Sequence, residues 1–357
     1  MEIKQIFDKK DSPIIIAGPC SAETEEQVLE TAHALVGQGV DLFRSGIWKP
    51  RTRPNSFEGV GVVGLPWLKR VKEETGLKVT TEVAGREHVF EALKAGIDVL
   101  WLGARTTVNP FTVQEVADAL KGVDIPVMIK NPVNPDLELW IGAIERIYNA
   151  GITRIAVIHR GFSHHGKTIY RNVPFWQIPI DLKEKFPDIE IICDNSHICG
   201  RRDILQDVAQ RAMNLNFDGL MTEVHPRPDE AWSDAKQQVT PARYKEMMSQ
   251  LVIRKADTDN KEYKHHIDHL RHEIDEIDND IMNLLSQRMR IAERIGEYKK
   301  RNNIAILQPN RWSEILETAV EKGKSKGLSE EFTSIMFKAI HEESINHQER
   351  VMNATDL

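Results

Sequence analysis

The sequence predicts an α/β chain in two parts, a (β/α)8 TIM barrel followed by an all-α three-helix domain that dimerises. Three observations carry this. Short β-rich runs alternate with amphipathic segments from residue 14 to about 252. Eight such units in roughly 240 residues is the ordinary span of a (β/α)8 barrel. After about Leu251 Gly and Pro become rare, and apolar residues recur at the three-four spacing of a helix stripe.

The predicted strands are Ile14–Ala17, Val40–Arg44, Lys78–Val83, Val99–Leu102, Val127–Lys130, Arg154–Ile158, Glu190–Cys193 and Gly219–Glu223. Segments such as Glu25–Val36 and Thr112–Leu120 carry helical patterning between them. An open doubly wound sheet is the alternative. The strand count, and the clustering of unusual residues at strand ends, favour the closed barrel. Farther along, Ile267, Leu270, Ile274, Ile277, Ile281, Leu284, Ile291 and Ile295 predict a helix from about Tyr263 to Arg301, on the order of 55 Å long. Two shorter helices follow, near Arg311–Lys322 and Ser329–Met352. Helices so unequal make a poor lone bundle, so pairing with a second copy is expected. The division is a barrel over 1–252, a polar linker over 253–262 and a helical domain over 263–357.

Composition narrows the partners. Hydrophobic residues make up 41% and the net charge is −7, which fits a globular protein and argues against a nucleic-acid binder. No apolar run is long enough to span a membrane, and the charged Met1–Asp11 stretch lacks the apolar core of a signal peptide. Cys20, Cys193 and Cys199 are too few and odd in number for a disulfide framework. A cytoplasmic location is expected.

In such a barrel the active site is built at the C-terminal ends of the strands. Those ends present Arg44, Lys49, Arg51, Arg105, Lys130 and Arg160. One of these alone would be a surface ion pair. Six at one mouth repel each other unless an anion neutralises them, and a phosphate, with a carboxylate, suits them. Cys20, His197, Glu223 and Asp234 form a second set, suited to a divalent transition metal with one position open. Cys199, two residues after His197, competes with Cys20, which is preferred because it ends a strand. His225 is a substitute for Glu223.

Taken in order, the runs Gly18-Pro19-Cys20-Ser21, Lys49-Pro50-Arg51-Thr52, Gly103-Ala104-Arg105, Asp194-Asn195-Ser196-His197, Glu223-Val224-His225-Pro226 and Ser233-Asp234 resemble 3-deoxy-D-arabino-heptulosonate 7-phosphate (DAHP) synthase, most closely its type I-beta branch. The resemblance implies that Cys20, His197, Glu223 and Asp234 bind a divalent metal ion, with Mn, Zn, Co and Fe all suitable. It implies that Arg105, Lys130 and Arg160 hold phosphoenolpyruvate with Lys49 and Arg44 nearby, and that Arg51 and Thr52 take the phosphate of erythrose 4-phosphate. Lys130 is also a candidate general acid. Asn195 departs from the family, where Pro is frequent, and is expected to alter the turn but not the metal site. The related 3-deoxy-octulosonate 8-phosphate synthase is the alternative; it carries Ala-Asn where this chain has Pro50 between the Lys and Arg. Aldolase chemistry through a Schiff base on Lys130 is a third reading.

In the long helix, Arg288 interrupts the apolar stripe between Leu284 and Ile291. A buried arginine is costly without an anion. Lys299 projects from nearly the same face, whereas Arg271 lies roughly 100° away around the axis. Ser344 and Gln348 share a face of the last helix. With Gln287-Arg288, Ile295-Gly296, Lys299, Arg311 and Glu343-Ser344, the last stretch of the chain resembles the all-helical chorismate mutase. That implies conversion of chorismate to prephenate in an interlaced homodimer, with higher oligomers open. Arg271 reaches into the partner's site. Arg271, Arg288 and Arg311 bind carboxylates, Lys299 and Gln348 contact the ether oxygen, and Ser344 contacts a hydroxyl. Gln308 stands where an acidic residue can occur, which bears on hydroxyl binding there. The rearrangement needs no acid, base or nucleophile. A different reading makes the tail a ligand-sensing dimerisation module that modulates the barrel. Regulation of the barrel by this domain is expected on either reading.

Overall fold

The eight predicted stretches all form strands: β1 Ile14–Gly18, β2 Leu42–Arg44, β3 Val79–Val83, β4 Val99–Leu102, β5 Val127–Lys130, β6 Ile155–His159, β7 Glu190–Asp194 and β8 Gly219–Glu223. They lie in chain order around a closed barrel, every neighbour parallel, and β1 seals against β8 from Ile14↔Gly219 to Gly18↔Glu223. These coordinates are a computed structural model that describes residues 1–7, 9, 12–50, 56–254 and 257–354. The described chain divides into two compact units, Met1–Ala256 and Asp257–Leu357.

Period-two alternation places one row of each strand inside the barrel. Ile14, Ile16, Leu42, Trp101, Met128, Ile158, Ile192 and Met221 fill that interior. The other row, with Ala17, Phe43, Leu100, Ile129, Val157 and Leu220, packs against the helices. Continuing the inward row by one step puts Arg44 after Leu42, Lys130 after Met128, Arg160 after Ile158, Asp194 after Ile192 and Glu223 after Met221. The same alternation that builds the core therefore aims charged side chains into the mouth. At the opposite end, Ile6 and Phe7 pack against the interior, their amides donating to the buried Glu190 carboxylate at 2.7 and 3.2 Å.

Side-chain caps start many of the helices. Thr24 accepts from Gln27 N, Asp136 from Leu139 N and Thr240 from Arg243 N. Asn195 opens the short helix Asn195–Cys199, with Asp194 capping it by accepting from His197 N. Its own amide accepts from Thr222 Oγ1 at 2.9 Å.

The second unit has three helices, Lys261–Arg301, Pro309–Ser325 and Glu330–Asn353. Asn260 and Ser329 cap the first and last. Within the chain, the long helix meets the last one through Met289, Ala292 and Gly296, where a Cβ on Gly296 would sit 3.1 Å from Gln348 Cα. The stripe expected from the sequence lies elsewhere. Ile274 is 55% exposed, Ile277 58%, Leu284 63% and Ile291 56%. Met289 with the small residues Ala292 and Gly296, not the large residues of the stripe, makes the intrachain contact. No helix among the described residues is long and apolar enough to cross a membrane.

Candidate active sites

At the barrel mouth the strand ends bring Cys20, Glu223 and Asp234 together, one donor atom from each lying within 4.8 Å of the others. Cys20 Sγ is 3.4 Å from Asp234 Oδ2. His197 stands beside them, its Nε2 3.9 Å from Asp234 Oδ2 and its Nδ1 3.6 Å from Glu223 Oε1. Nδ1 also faces Asp194, 2.9 Å from Oδ2, the arrangement that fixes a histidine's tautomer and frees its other nitrogen for a ligand. Asp234 holds a left-handed backbone (φ 47), which aspartate tolerates better than most residues. Cys199 and His225, the two competitors, are engaged elsewhere. Cys199 Sγ lies 3.5 Å from Ile204 O, and His225 sits between Glu23 Oε2 and the Arg227 amide.

Thiol, imidazole and two carboxylates fit a divalent transition metal. Glu223 is fully buried, and its Oε1 lies 3.0 Å from Arg44 Nη2 without hydrogen-bond alignment, so a buried oxygen is left without a donor. Burial pushes the Cys20 thiol up to about 12, with Glu223 adding to the effect. Lys49 Nζ donates to Cys20 Sγ at 2.9 Å. Burial alone would lower the Lys49 ammonium; Cys20 and Glu223 outweigh it and hold it above its usual range.

The basic set needs a correction. The expectation was six cations repelling one another until an anion arrives. Instead the fold supplies partners: Arg44 beside Glu223, Lys49 beside Cys20, and Lys130 bonded to Asp194 at 2.8 Å. Burial would raise the Asp194 carboxyl, but His197 and Lys130 hold it well below the usual carboxylate range. Trp101 floors the site under Arg44 and Lys130, and its Nε1 donates to Glu82. Arg160 differs from the rest. It is buried, and its partners are neutral, Asn172 Oδ1 at 2.7 Å and Gly161 O at 3.2 Å. Burial pushes its guanidinium down to about 10; the Asp194 carboxylate opposes this, and Arg171 and Arg105 add to it. A buried cation on neutral acceptors favours an incoming anion. Arg105 is exposed at the rim; Arg51 and Thr52 lie outside the described residues.

Glu82, Arg171, Asn172 and Gln237 belong to the site and were absent from the sequence reading. Asp194 figured there only as part of a motif. Glu82 was legible, as the inward carboxylate of β3; the other three sit in loops, where no periodicity marks direction.

In the helical unit Arg288 Nη1 donates to Ser344 Oγ and reaches Ile340 O at 3.5 Å. Gln348 Nε2 donates to Ser344 O at 3.2 Å, while its buried Oε1 has no partner among the described residues. Lys299 Nζ donates to Ile306 O. Burial lowers Arg288 and Lys299, and His341, stacked on Trp312 at 4.0 Å, is lowered by burial and by both cations. Arg288, Lys299, Ser344 and Gln348 thus ring one region. Arg271 and Arg311 do not join it: both are exposed and pair locally, with Asp268 at 3.4 Å and Glu314 at 3.1 Å. Gln308 is the exposed N-cap of its helix and makes no capping bond.

Comparison with known proteins agrees with both halves. The family model described as DAHP synthetase I family matches residues 1–258, and chorismate mutase type II matches 270–349. A phospho-2-dehydro-3-deoxyheptonate aldolase of Thermotoga maritima is 34% identical over 237 residues, 66% of this chain and 68% of that one. A 2-dehydro-3-deoxyphosphooctonate aldolase of Vesicomyosocius okutanii is 29% identical over 257 residues, 66% of this chain and 88% of its own. The crystal structure of the Thermotoga maritima DAHP synthase superimposes with a TM-score of 0.60 at 32% identity, covering 66% of this chain and 67% of that one. A truncated form of the synthase from that organism gives 0.60 at 29% identity, covering 70% and 89%. The chain belongs to the DAHP synthetase I family and carries a type II chorismate mutase region after the barrel in sequence, a bifunctional enzyme of the shikimate pathway.

Proposed function

We propose that the barrel condenses phosphoenolpyruvate with erythrose 4-phosphate, giving DAHP and inorganic phosphate, and that the helical unit rearranges chorismate to prephenate. The observation that carries the first half is the buried Arg160, whose hydrogen bonds among the described residues go to neutral acceptors, in the same mouth as the Cys20, Glu223 and Asp234 donors. Arg160, Arg105 and Lys130 hold phosphoenolpyruvate through its phosphate and carboxylate. Cys20, His197, Glu223 and Asp234 would hold a divalent ion, Mn, Zn, Co or Fe, which when bound supplies Lewis-acid polarisation of an aldehyde carbonyl. Carbon 3 of phosphoenolpyruvate attacks the aldehyde carbon, and the aldehyde oxygen takes a proton from Lys130 Nζ, the ammonium that Asp194 orients. Water adds at carbon 2, returning one proton to Lys130 Nζ, and the new hydroxyl becomes the ketone as phosphate departs with the other proton and its bond to that carbon breaks. Positioning by this charged mouth supplies several kcal/mol of the acceleration.

In the helical unit Arg288 binds a carboxylate, Lys299 and Gln348 face the ether oxygen, and Ser344 faces a hydroxyl. This site is completed by a second copy. The apolar stripe through Ile274, Ile277, Ile281 and Leu284 is exposed on one chain, and a two-fold partner that covered it would bring its own Arg271 to the site. Ligand occupancy of this unit regulates the barrel.

The test is phosphoenolpyruvate consumption with erythrose 4-phosphate, before and after EDTA, and again with arabinose 5-phosphate. EDTA-sensitive turnover with the four-carbon sugar alone is expected. Turnover with only the five-carbon sugar would transfer the barrel to the octulosonate branch.

A further inference from the structure

Between β6 and the helix Gln177–Lys185, the dipeptide Arg171–Asn172 is clamped over the mouth. Arg171 N and Asn172 N both donate to Ile198 O, at 3.0 and 3.2 Å, and the next residue, Val173, pairs antiparallel with Phe162. Two glycines in left-handed conformation make room for it. A Cβ on Gly161 (φ 74) would fall 2.5 Å from Asn172 O, and one on Gly200 (φ 66) would fall 2.4 Å from Arg171 Cβ.

From this clamp the two side chains diverge. Arg171 Nη1 lies 3.0 Å from Asp234 Oδ1 and donates to Gln237 Oε1 at 2.7 Å. Gln237 Nε2 passes the contact on to Glu223 Oε2 at 2.7 Å. Asn172 Oδ1 accepts from Arg160 Nη1 at 2.7 Å, and its Nδ2 donates to His197 O at 2.6 Å. One dipeptide therefore reaches both carboxylates of the donor group, the backbone of its histidine, and the anion-seeking arginine. Burial alone would raise the Asp234 carboxyl; His197 and Arg171 outweigh it and keep it ionised. A lysine at 171 could match the charge, but it lacks the planar fork that meets a carboxylate and an amide together.

We propose that Arg171 and Asn172 are positioning residues that couple metal binding to phosphate binding: Arg171, through Gln237, fixes the two carboxylates, and Asn172 fixes Arg160 against the same clamp. This rests on the reading of the mouth as a metal and phosphoenolpyruvate site. Occupying either side orders the dipeptide for the other, and by linkage each ligand must tighten the other by the same factor.

The experiment titrates the metal-stripped full chain with Co2+, read by the thiolate-to-cobalt absorption of Cys20, with and without phosphoenolpyruvate. The aldehyde is omitted, so nothing turns over. In the wild type, phosphoenolpyruvate tightens Co2+ binding. Arg171→Ala weakens Co2+ by about 10–100-fold, the usual cost of losing an outer-shell partner, and Arg171→Lys recovers only part of this. Asn172→Ala, which loses the bond to His197 O as well as that to Arg160, weakens Co2+ less than Arg171→Ala does, weakens phosphoenolpyruvate and removes its tightening effect. Circular dichroism and thermal melting check the fold of each variant. Should Arg171→Ala not fold, Gln237→Met decides, since it removes the relay to Glu223 without removing a charge. Wild-type Co2+ affinity and intact coupling in the folded variants would overturn the proposal. Cys20→Ala separates the two levels. Loss of the absorption band there supports the metal reading whatever the relay variants show; a retained band would sink the metal reading itself.

Discussion

The two sites of this chain are assembled in opposite ways. The barrel mouth gathers its residues from strand ends scattered along the first unit, and closure of the barrel buries Arg44, Lys130, Asp194 and Glu223 within a single copy. The helical unit draws on neighbours along a few helices, and one copy unites only Arg288, Lys299, Ser344 and Gln348, with Arg271 and Arg311 exposed. A closed sheet has an inside, so parity alone aims side chains at a common point. A 41-residue helix has only faces, and three helices cannot enclose all of them. The described residues of the first site thus all come from one chain, whereas the second leaves Arg271 and Arg311 apart and is proposed to be completed by a second copy.

The comparison sharpens first at Arg160. Arg160→Ala removes the buried cation and should raise KM for phosphoenolpyruvate by about 30–150-fold, in line with loss of a charge-assisted contact of about 2–3 kcal/mol. Chorismate turnover should not move. Steady-state kinetics on both substrates check this, and an unchanged KM would remove Arg160 from the phosphate site.

Next comes the exposed stripe. Ile277→Glu should yield monomers by sedimentation at micromolar concentration and lower chorismate turnover about tenfold or more, because burying an unpaired carboxylate in an interface costs several kcal/mol. Dimers of unchanged stability would mean that some other surface joins the copies.

The smallest effect lies outside both sites. His159, at the end of β6, points away from the mouth into a cage of Phe162, Trp176 and Phe217. Burial, helped by Arg160, pushes its imidazole down to about 3. Unfolded, it titrates near 6.5, so between those values the unfolded chain binds the extra proton and barrel stability falls as pH drops. His159→Phe should flatten that part of the melting-temperature profile by a few degrees, roughly the effect of 1–2 kcal/mol. A profile parallel to wild type would assign the acid sensitivity to other groups.

How far the sequence carries differs between the units in the same way. All eight strands were legible because β-branched runs sit between turn residues, and the strand ends, taken in order, named Cys20, Lys130, Arg160, His197 and Glu223 as candidates. The pairing of those charges was not legible. Nothing in the spacing says that Lys130 meets Asp194, or that Arg171, Asn172 and Gln237 bridge loops that fold toward each other. In the tail, helix periodicity gave the three helices within a few residues. It did not reveal the packing face within the chain, because Ala292 and Gly296 carry almost no hydrophobic signal, whereas the large residues of the stripe face outward.

One measurement tests most directly whether two separate sites act in one chain: both turnovers, measured on Cys20→Ala and on Arg288→Ala. Cys20→Ala should lose condensation of phosphoenolpyruvate with erythrose 4-phosphate by about 1000-fold while keeping its chorismate turnover. Arg288→Ala should lose chorismate turnover by about 100–1000-fold while keeping the condensation. Loss of both activities in either variant, or of neither, would contradict the account.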